Sequence, residues 1–232
     1  MFSTRARARV IRPALVASLG FAIGCAIVHA QAADARGPLG PSTNDGGVIP
    51  YFIAKAVDGS GYRAGDEQLV VWALQEWQRR LGGLPRFQQA GSEDAATIRV
   101  RFLPWSEEAA LGRMEPSDLN GRTIVSLDIR PDEHRFRPTV RRRVIEDPLM
   151  RDVVIYYVCL HEIGHALGLS HSQNAADVMW PGVNGVTLPV YDHYRHRLQS
   201  REDIPNVSWL SKDDVGRAQV LWSSPHTGRS SR

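Results

Sequence analysis

Val153-Val-Ile-Tyr-Tyr-Val-Cys-Leu-His161-Glu162-Ile-Gly-His165-Ala-Leu-Gly168-Leu-Ser-His171 is the stretch on which the reading of this chain turns. Its first half is apolar nearly all round, which predicts a helix buried at the centre of the molecule. His161 and His165 are four residues apart, so on that helix they project from one face about one turn from each other. Two imidazole nitrogens so placed can reach a single ion at roughly 2.0–2.1 Å. His171 could not join them on a continuing helix, because its distance along the axis from His161 would be about 15 Å. The chain must therefore turn back, and Gly168 stands where a left-handed helix-ending turn is needed.

Three histidines leave the fourth position of a tetrahedral zinc open, which is the pattern of a catalytic site and not of a closed structural one. Glu162, beside the first histidine, is the natural general base for a water acidified by such an ion. A short H-E-x-x-H alone is a weak signal; the five specified positions from His161 to His171, with glycine at the turn, make a strong one. Cys159, two residues before His161, points to the far side of the helix and reads as a packed core thiol.

Outward from this segment, alternation and capping signals organise the rest. Ile49, Tyr51 and Ile53 have the period of a strand. Asp66 is set to cap a helix running to about Leu81, with Leu69, Trp72, Ala73, Trp77 and Leu81 on one side and Gly82-Gly83 ending it. Arg86 to Gln89 reads as a short strand, and Thr97 to Phe102 as a stronger one with Ile98, Val100 and Phe102 inward. Arg122 to Ile129 alternates as well, and Ala109 to Glu115 is a candidate edge strand. Ser211 can cap a last helix from Lys212 to Leu221, placing Asp213 and Asp214 in its positive first turn. Asp132, Glu133 and His134 read as a solvated turn.

The chain has 232 residues and is 43% hydrophobic, enough for one domain with a proper core. Arg5, Arg7, Arg9 and Arg12 precede an apolar run from Pro13 to Val28, and Val28-His29-Ala30 offers small residues for signal cleavage. Residues 1–30 are thus expected to be a signal peptide cleaved after Ala30, with Ala32 the alternative. Residues 31–47 read as a disordered lead-in, 48–224 as the domain and 225–232 as a flexible tail. The run is short for a membrane span, and none is expected once the signal is removed. Without those four arginines the formal charge falls from +3 to −1, so nucleic acid is not an expected partner. A lipid anchor at Cys25 would use Ala22-Ile23-Gly24-Cys25, which lacks a large aliphatic residue at its start. Removing Cys25 leaves Cys159 alone, so no intrachain disulfide holds the domain.

The run His161 to His171 resembles the metzincin zinc signature. Ser172, then Asp177-Val178-Met179-Trp180-Pro181, and the closing Leu210-Ser211-Lys212-Asp213-Asp214-Val215 through Leu221-Trp222 resemble the matrixin branch of that group. The resemblance implies an α+β metzincin-like catalytic domain, with a twisted, mostly parallel five-stranded sheet, three helices and a zinc cleft. It implies His161, His165 and His171 as ligands of one catalytic zinc ion, Glu162 as the catalytic base, and Met179 as the turn methionine beneath the metal. Matrixins usually carry a structural zinc as well. The matching places here hold Gly112 or Arg113 and Ser126, and the loop after Phe102 is cut down to Pro104-Trp105-Ser106, so no structural zinc is expected; calcium is left open. A propeptide cysteine is not expected either. In the family the segment after the methionine turn walls a substrate pocket; here residues 182–207 are longer than usual. Their Tyr191, His193, Tyr194 and His196 read as exposed loop side chains, with specificity or a second metal as the alternatives.

The expected activity is that of a secreted, periplasmic or extracellular zinc endopeptidase acting on a protein or peptide, with an edge strand pairing to the extended substrate. The alternatives are a secreted zinc-binding protein that cuts nothing, against which the intact Glu162 argues, and a lipid-anchored protease.

Overall fold

In the computed structural model, residues 38–40, 47–106, 110–182 and 187–223 are described. The expected signal peptide (residues 1–30), most of the expected lead-in and the expected tail (225–232) lie outside the described residues. Leu39 is nevertheless fully buried in the core, so packed chain begins ahead of Val48.

Strands β1 (Val48–Ile53), β2 (Arg86–Gln89), β3 (Ile98–Phe102), β4 (Gly112–Leu119) and β5 (Arg122–Ile129) form one sheet in the order β2-β1-β3-β5-β4. The first four in that order run parallel, and β4 lies antiparallel to β5 at the edge. Alternation in β3 and β5 does what the sequence suggests: Ile98, Val100, Phe102, Val125, Leu127 and Ile129 are all buried. The β4–β5 hairpin closes through Asn120 and Gly121, both at positive φ, the conformation a two-residue turn needs to match strand twist. The edge strand starts three residues and ends four residues later than the candidate stretch from Ala109 to Glu115.

The helices are α1 (Asp66–Arg80), α2 (Pro138–Glu146), α3 (Pro148–Ala166), α4 (Thr187–Arg195) and α5 (Lys212–Ser223). Three of them answer to the helices expected from sequence, while α2 and α4 are additional among the described residues. Helix α3 begins five residues before Val153, with Pro148 in its first turn, where a missing N–H costs nothing. It is buried along almost its whole length, and Trp77 of α1 donates its indole N–H to the Leu160 carbonyl at 2.9 Å. Cys159 is buried and free, and burial pushes its thiol pKa up, as suits an inert core residue.

Asp66 is not the cap of α1. Gly65 holds that position in the left-handed conformation, and Asp66 is the first helical residue. Its carboxylate accepts the Arg63 N–H at 2.9 Å and both terminal nitrogens of Arg151 on α3, at 2.8 and 2.9 Å. Arg151 is only 1% exposed and also meets the Gly61 carbonyl and Glu133. Glu133, expected in a solvated turn, therefore helps close a buried ion cluster between α1 and α3. An unpaired charge left at such a site costs about 3–5 kcal/mol. Arg151→Ala is expected to lower unfolding free energy in urea by about that amount, and Asp66→Leu combined with Arg151→Met to recover most of it. Equal stability of Arg151→Ala and wild type would show that the pair holds nothing together.

Candidate metal centre

Helix α3 ends in a complete turn of hydrogen bonds. Gly168, at φ 103°, donates to the His165 carbonyl at 3.0 Å, and Leu169 donates back to Gly164 at 2.9 Å. This reversal brings His171 back to the face that carries His161 and His165. Donor atoms of the three side chains then all lie within 4.8 Å of one another. Nε2 of His165 is 3.1 Å from Nε2 of His161 and 3.2 Å from Nε2 of His171.

The other nitrogens of two of these rings decide what the close approach means. Nδ1 of His161 lies 2.7 Å from the Val178 carbonyl, and Nδ1 of His165 lies 2.7 Å from the Leu169 carbonyl. A carbonyl can only accept, so each Nδ1 carries the proton and each Nε2 presents a lone pair. Two lone pairs at 3.1 Å repel unless a cation lies between them. A tetrahedral zinc bound at roughly 2.0–2.1 Å separates its ligand nitrogens by about 3.3 Å, close to what is seen. Burial, then the neighbouring His165 and His171 rings, push the His161 pKa down to about 3, and burial lowers that of His165. Both rings stay neutral, the form that binds metal. The residues present fit the ion that the sequence implies.

Met179 is fully buried, and its thioether packs so closely on Gly164 that a Cβ there would collide with the sulfur and crowd the Trp77 ring. Gly164 sits between the two helical histidines, so a bare backbone is what lets the methionine turn approach them. Glu162 is 7% exposed and lies under the start of β4; a Cβ on Gly112 would come within 2.6 Å of its Oε1. In the chain without an ion, burial raises the Glu162 pKa to about 8 against the pull of the Met114 N–H and Arg130. A cation bound beside it acts in the direction of those two.

The bonds that a second ring of residues makes to the site were not legible in the sequence. Asp214, on α5 and wholly buried, accepts the N–H groups of Val178 at 2.8 Å and Met179 at 3.3 Å. Val178 is the residue whose carbonyl holds His161, so α5 orients a histidine through the methionine turn. The Ser172 N–H donates to the Met179 carbonyl at 2.9 Å, and its hydroxyl donates to Asp177. Tyr157 of α3 donates to the Asp177 carbonyl at 3.0 Å. The local signals were Ser211 as a cap with Asp214 in the first turn, and Ser172 and Asp177 in the matrixin resemblance; the cap bond does form, from Asp214 N–H to Ser211 Oγ at 2.9 Å.

Tyr191 and Tyr194 correct the reading of residues 182–207 as a loop with exposed side chains. They are each 6% exposed, on α4, and pack their rings against Tyr157. Tyr194 also stacks on Trp209 at 4.2 Å and donates to its carbonyl. His193 and His196 are exposed, and among the described residues they join no group of metal-ligating side chains.

A mostly parallel sheet with an antiparallel edge, lying on a buried helix that carries two of three converging imidazoles, is the metzincin arrangement. Residues 51–207 match the matrixin family, and the chain belongs to it. It is similar to matrix metalloproteinase-26 of Homo sapiens, with 28% identity over 136 residues, which cover 59% of this chain and 44% of that protein. Macrophage metalloelastase of Rattus norvegicus is 34% identical over 71 residues, covering 31% of this chain and 12% of that one. The matched region thus spans less than half the length of either relative.

Asp214→Ala removes the acceptor for two buried N–H groups, and the expected loss is on the order of 3 kcal/mol in chemical denaturation. Competition with a chelator is expected to show zinc affinity lowered by about 10- to 100-fold, as for other groups that orient a ligand. Unchanged zinc affinity in a folded Asp214→Ala protein would mean that Val178 holds His161 without help from α5.

Proposed function

We propose that this chain is a zinc-dependent endopeptidase, exported from the cell, with His161, His165 and His171 as metal ligands and Glu162 as general base. The observation that carries this reading is the convergence of three Nε2 atoms, those of His161 and His165 being unprotonated because their Nδ1–H groups are tied to backbone carbonyls. A histidine set gathered only for packing has no reason to aim its lone pairs at each other. A bound zinc ion supplies Lewis acidity at this point, polarising a peptide carbonyl and acidifying a water.

The chain's own groups do the rest. The Val178 and Leu169 carbonyls keep the His161 and His165 rings in one tautomer and orientation. Glu162 follows the first ligand in sequence, and its carboxylate takes the proton of the attacking water and returns it to the leaving nitrogen. The Met114 N–H and the Arg130 guanidinium favour the ionised carboxylate needed for the first of these transfers. Met179 and Gly164 give the site a dry floor. The free edge of β4 beside Glu162 suits an extended peptide, which would add to it as a further strand. Export is supported by the basic and then apolar sequence of residues 1–30, and no helix among the described residues is long and apolar enough to cross a membrane.

The test is cleavage of an unfolded protein by the purified chain. Glu162→Gln is expected to keep stoichiometric zinc and to lose about 10²- to 10⁴-fold in rate, the usual worth of a positioned proton-transfer group. Chelation should abolish cleavage, and added zinc should restore it. Full zinc occupancy with no cleavage of any substrate would favour a zinc-binding protein without activity, and absence of zinc binding would overturn the whole assignment.

A further inference from the structure

The free edge of β4 does not offer a regular row of backbone groups, and the parity of its pairing with β5 shows where the row breaks. In an antiparallel pair, residues directly opposite one another alternate between exchanging hydrogen bonds and turning their N–H and C=O groups away. The Arg130 N–H donates to the Leu111 carbonyl at 2.8 Å, so that opposed pair is a bonded one. Carried along the register, the bonded pairs are Arg113 with Asp128, Glu115 with Ser126, and Ser117 with Ile124. The residues that face the free edge are then Gly112, Met114, Pro116 and Asp118.

Two further observations agree with this parity. Val125 lies opposite Pro116, and its N–H donates across the other side of β5 to the Thr97 carbonyl at 2.8 Å. It therefore has nothing to give β4. On the free side, the Met114 N–H is turned to Glu162, the group that β4 must face if its edge borders the site. Pro116 thus occupies an outward position, where its missing N–H takes no bond from the sheet. The same position gives an incoming strand no donor and puts ring carbon where the hydrogen would be.

We propose that Pro116 limits how far a substrate can pair along β4. An extended peptide exchanges backbone bonds at Gly112 and meets the Met114 carbonyl beside Glu162, whereas at Pro116 it finds no N–H and a ring in the donor's place, although β4 itself continues to Leu119. Substrate is therefore read over a short extended segment on one side of the scissile bond. Pro116 acts there as a specificity-determining residue without touching the reacting atoms. The proposal rests on the endopeptidase reading.

Two ladders of fluorogenic peptides test it, one lengthened residue by residue before the scissile bond and the other after it. Both are cut by the zinc-loaded full chain and by Pro116→Ala. In one ladder, kcat/KM of the wild type is expected to level off while that of the variant rises for one or two residues more. The expected gain is about threefold to tenfold, the worth of one added hydrogen bond, and it should lie mainly in KM. The ladder that gains also reveals the direction in which the peptide lies on β4. Pro116→Ser serves in the same way should the alanine variant not fold. Superimposable length profiles for wild type and folded variant would overturn the proposal. So would a variant that self-associates in sedimentation but keeps the wild-type profile, since Pro116 would then guard the edge against pairing between copies. A wild type that binds zinc but cuts no peptide in either ladder would fail earlier, at the endopeptidase reading itself.

Discussion

Three imidazoles must present lone pairs to one point although the third lies beyond the end of the helix that carries the other two. That requirement shapes everything near the site. Helix α3 has to stop at Ala166, the chain has to reverse within a few residues, and the reversal has to be rigid. Gly168 in the left-handed conformation makes the turn, and the turn's own product, the Leu169 carbonyl, holds His165. The helix end and the ligand orientation are therefore one structure. His161 is held in the same manner from further away, by Val178 in the methionine turn, which α5 fixes through Asp214. Both of these ring orientations rest on a backbone carbonyl, and both carbonyls belong to buried residues.

Such an arrangement needs a stiff support, because a displacement of a fraction of an ångström separates convergent lone pairs from a common ion. Helix α3 supplies it by being apolar on nearly every side, so that sheet, α1, α2 and α4 can all pack on it. The end remote from the histidines is held differently, by Arg151 and its carboxylates Asp66 and Glu133. A buried ion cluster is a poor source of net stability, but it tolerates few alternative geometries. It fixes the register of α3 on α1, and with it the height at which His161 and His165 meet the sheet edge.

What was legible in the sequence is what depends on neighbours in the sequence. The spacing of His161 and His165, the turn at Gly168 and the alternation in β3 and β5 are local patterns, and each has its counterpart in the structure. Helix α2 was missed because its nine residues hold Arg141, Arg142 and Arg143 and bury only Val140 and Val144, too few apolar positions to establish a period. Helix α4 carries a proline and a histidine among its tyrosines, and its burial is decided by Tyr157 and Trp209, which come from elsewhere in the chain. Asp66 and Asp214 were recognised as helix-start carboxylates. Their second bonds, to Arg151 and to the methionine turn, span 85 and 36 residues and leave no local trace.

The same distinction between local and distant constraints explains the glycines around Glu162. Gly168 is required by its own backbone, since its φ of 103° is strained for any residue with a Cβ. Gly112 has no such requirement, as it is not among the glycines at positive φ. It is small because a Cβ would lie 2.5 Å from Val158 Cγ1 and 2.6 Å from Glu162 Oε1. Gly164 answers the same need towards Met179 on the other side of α3. Between them the two bare positions let the edge strand and the methionine turn close on the helix from opposite sides, at the level of the histidines. Glu162 is confined by that closure, with the Met114 N–H turned to it. Its position follows from the absence of atoms at Gly112, which no pattern of side-chain chemistry in the sequence could announce.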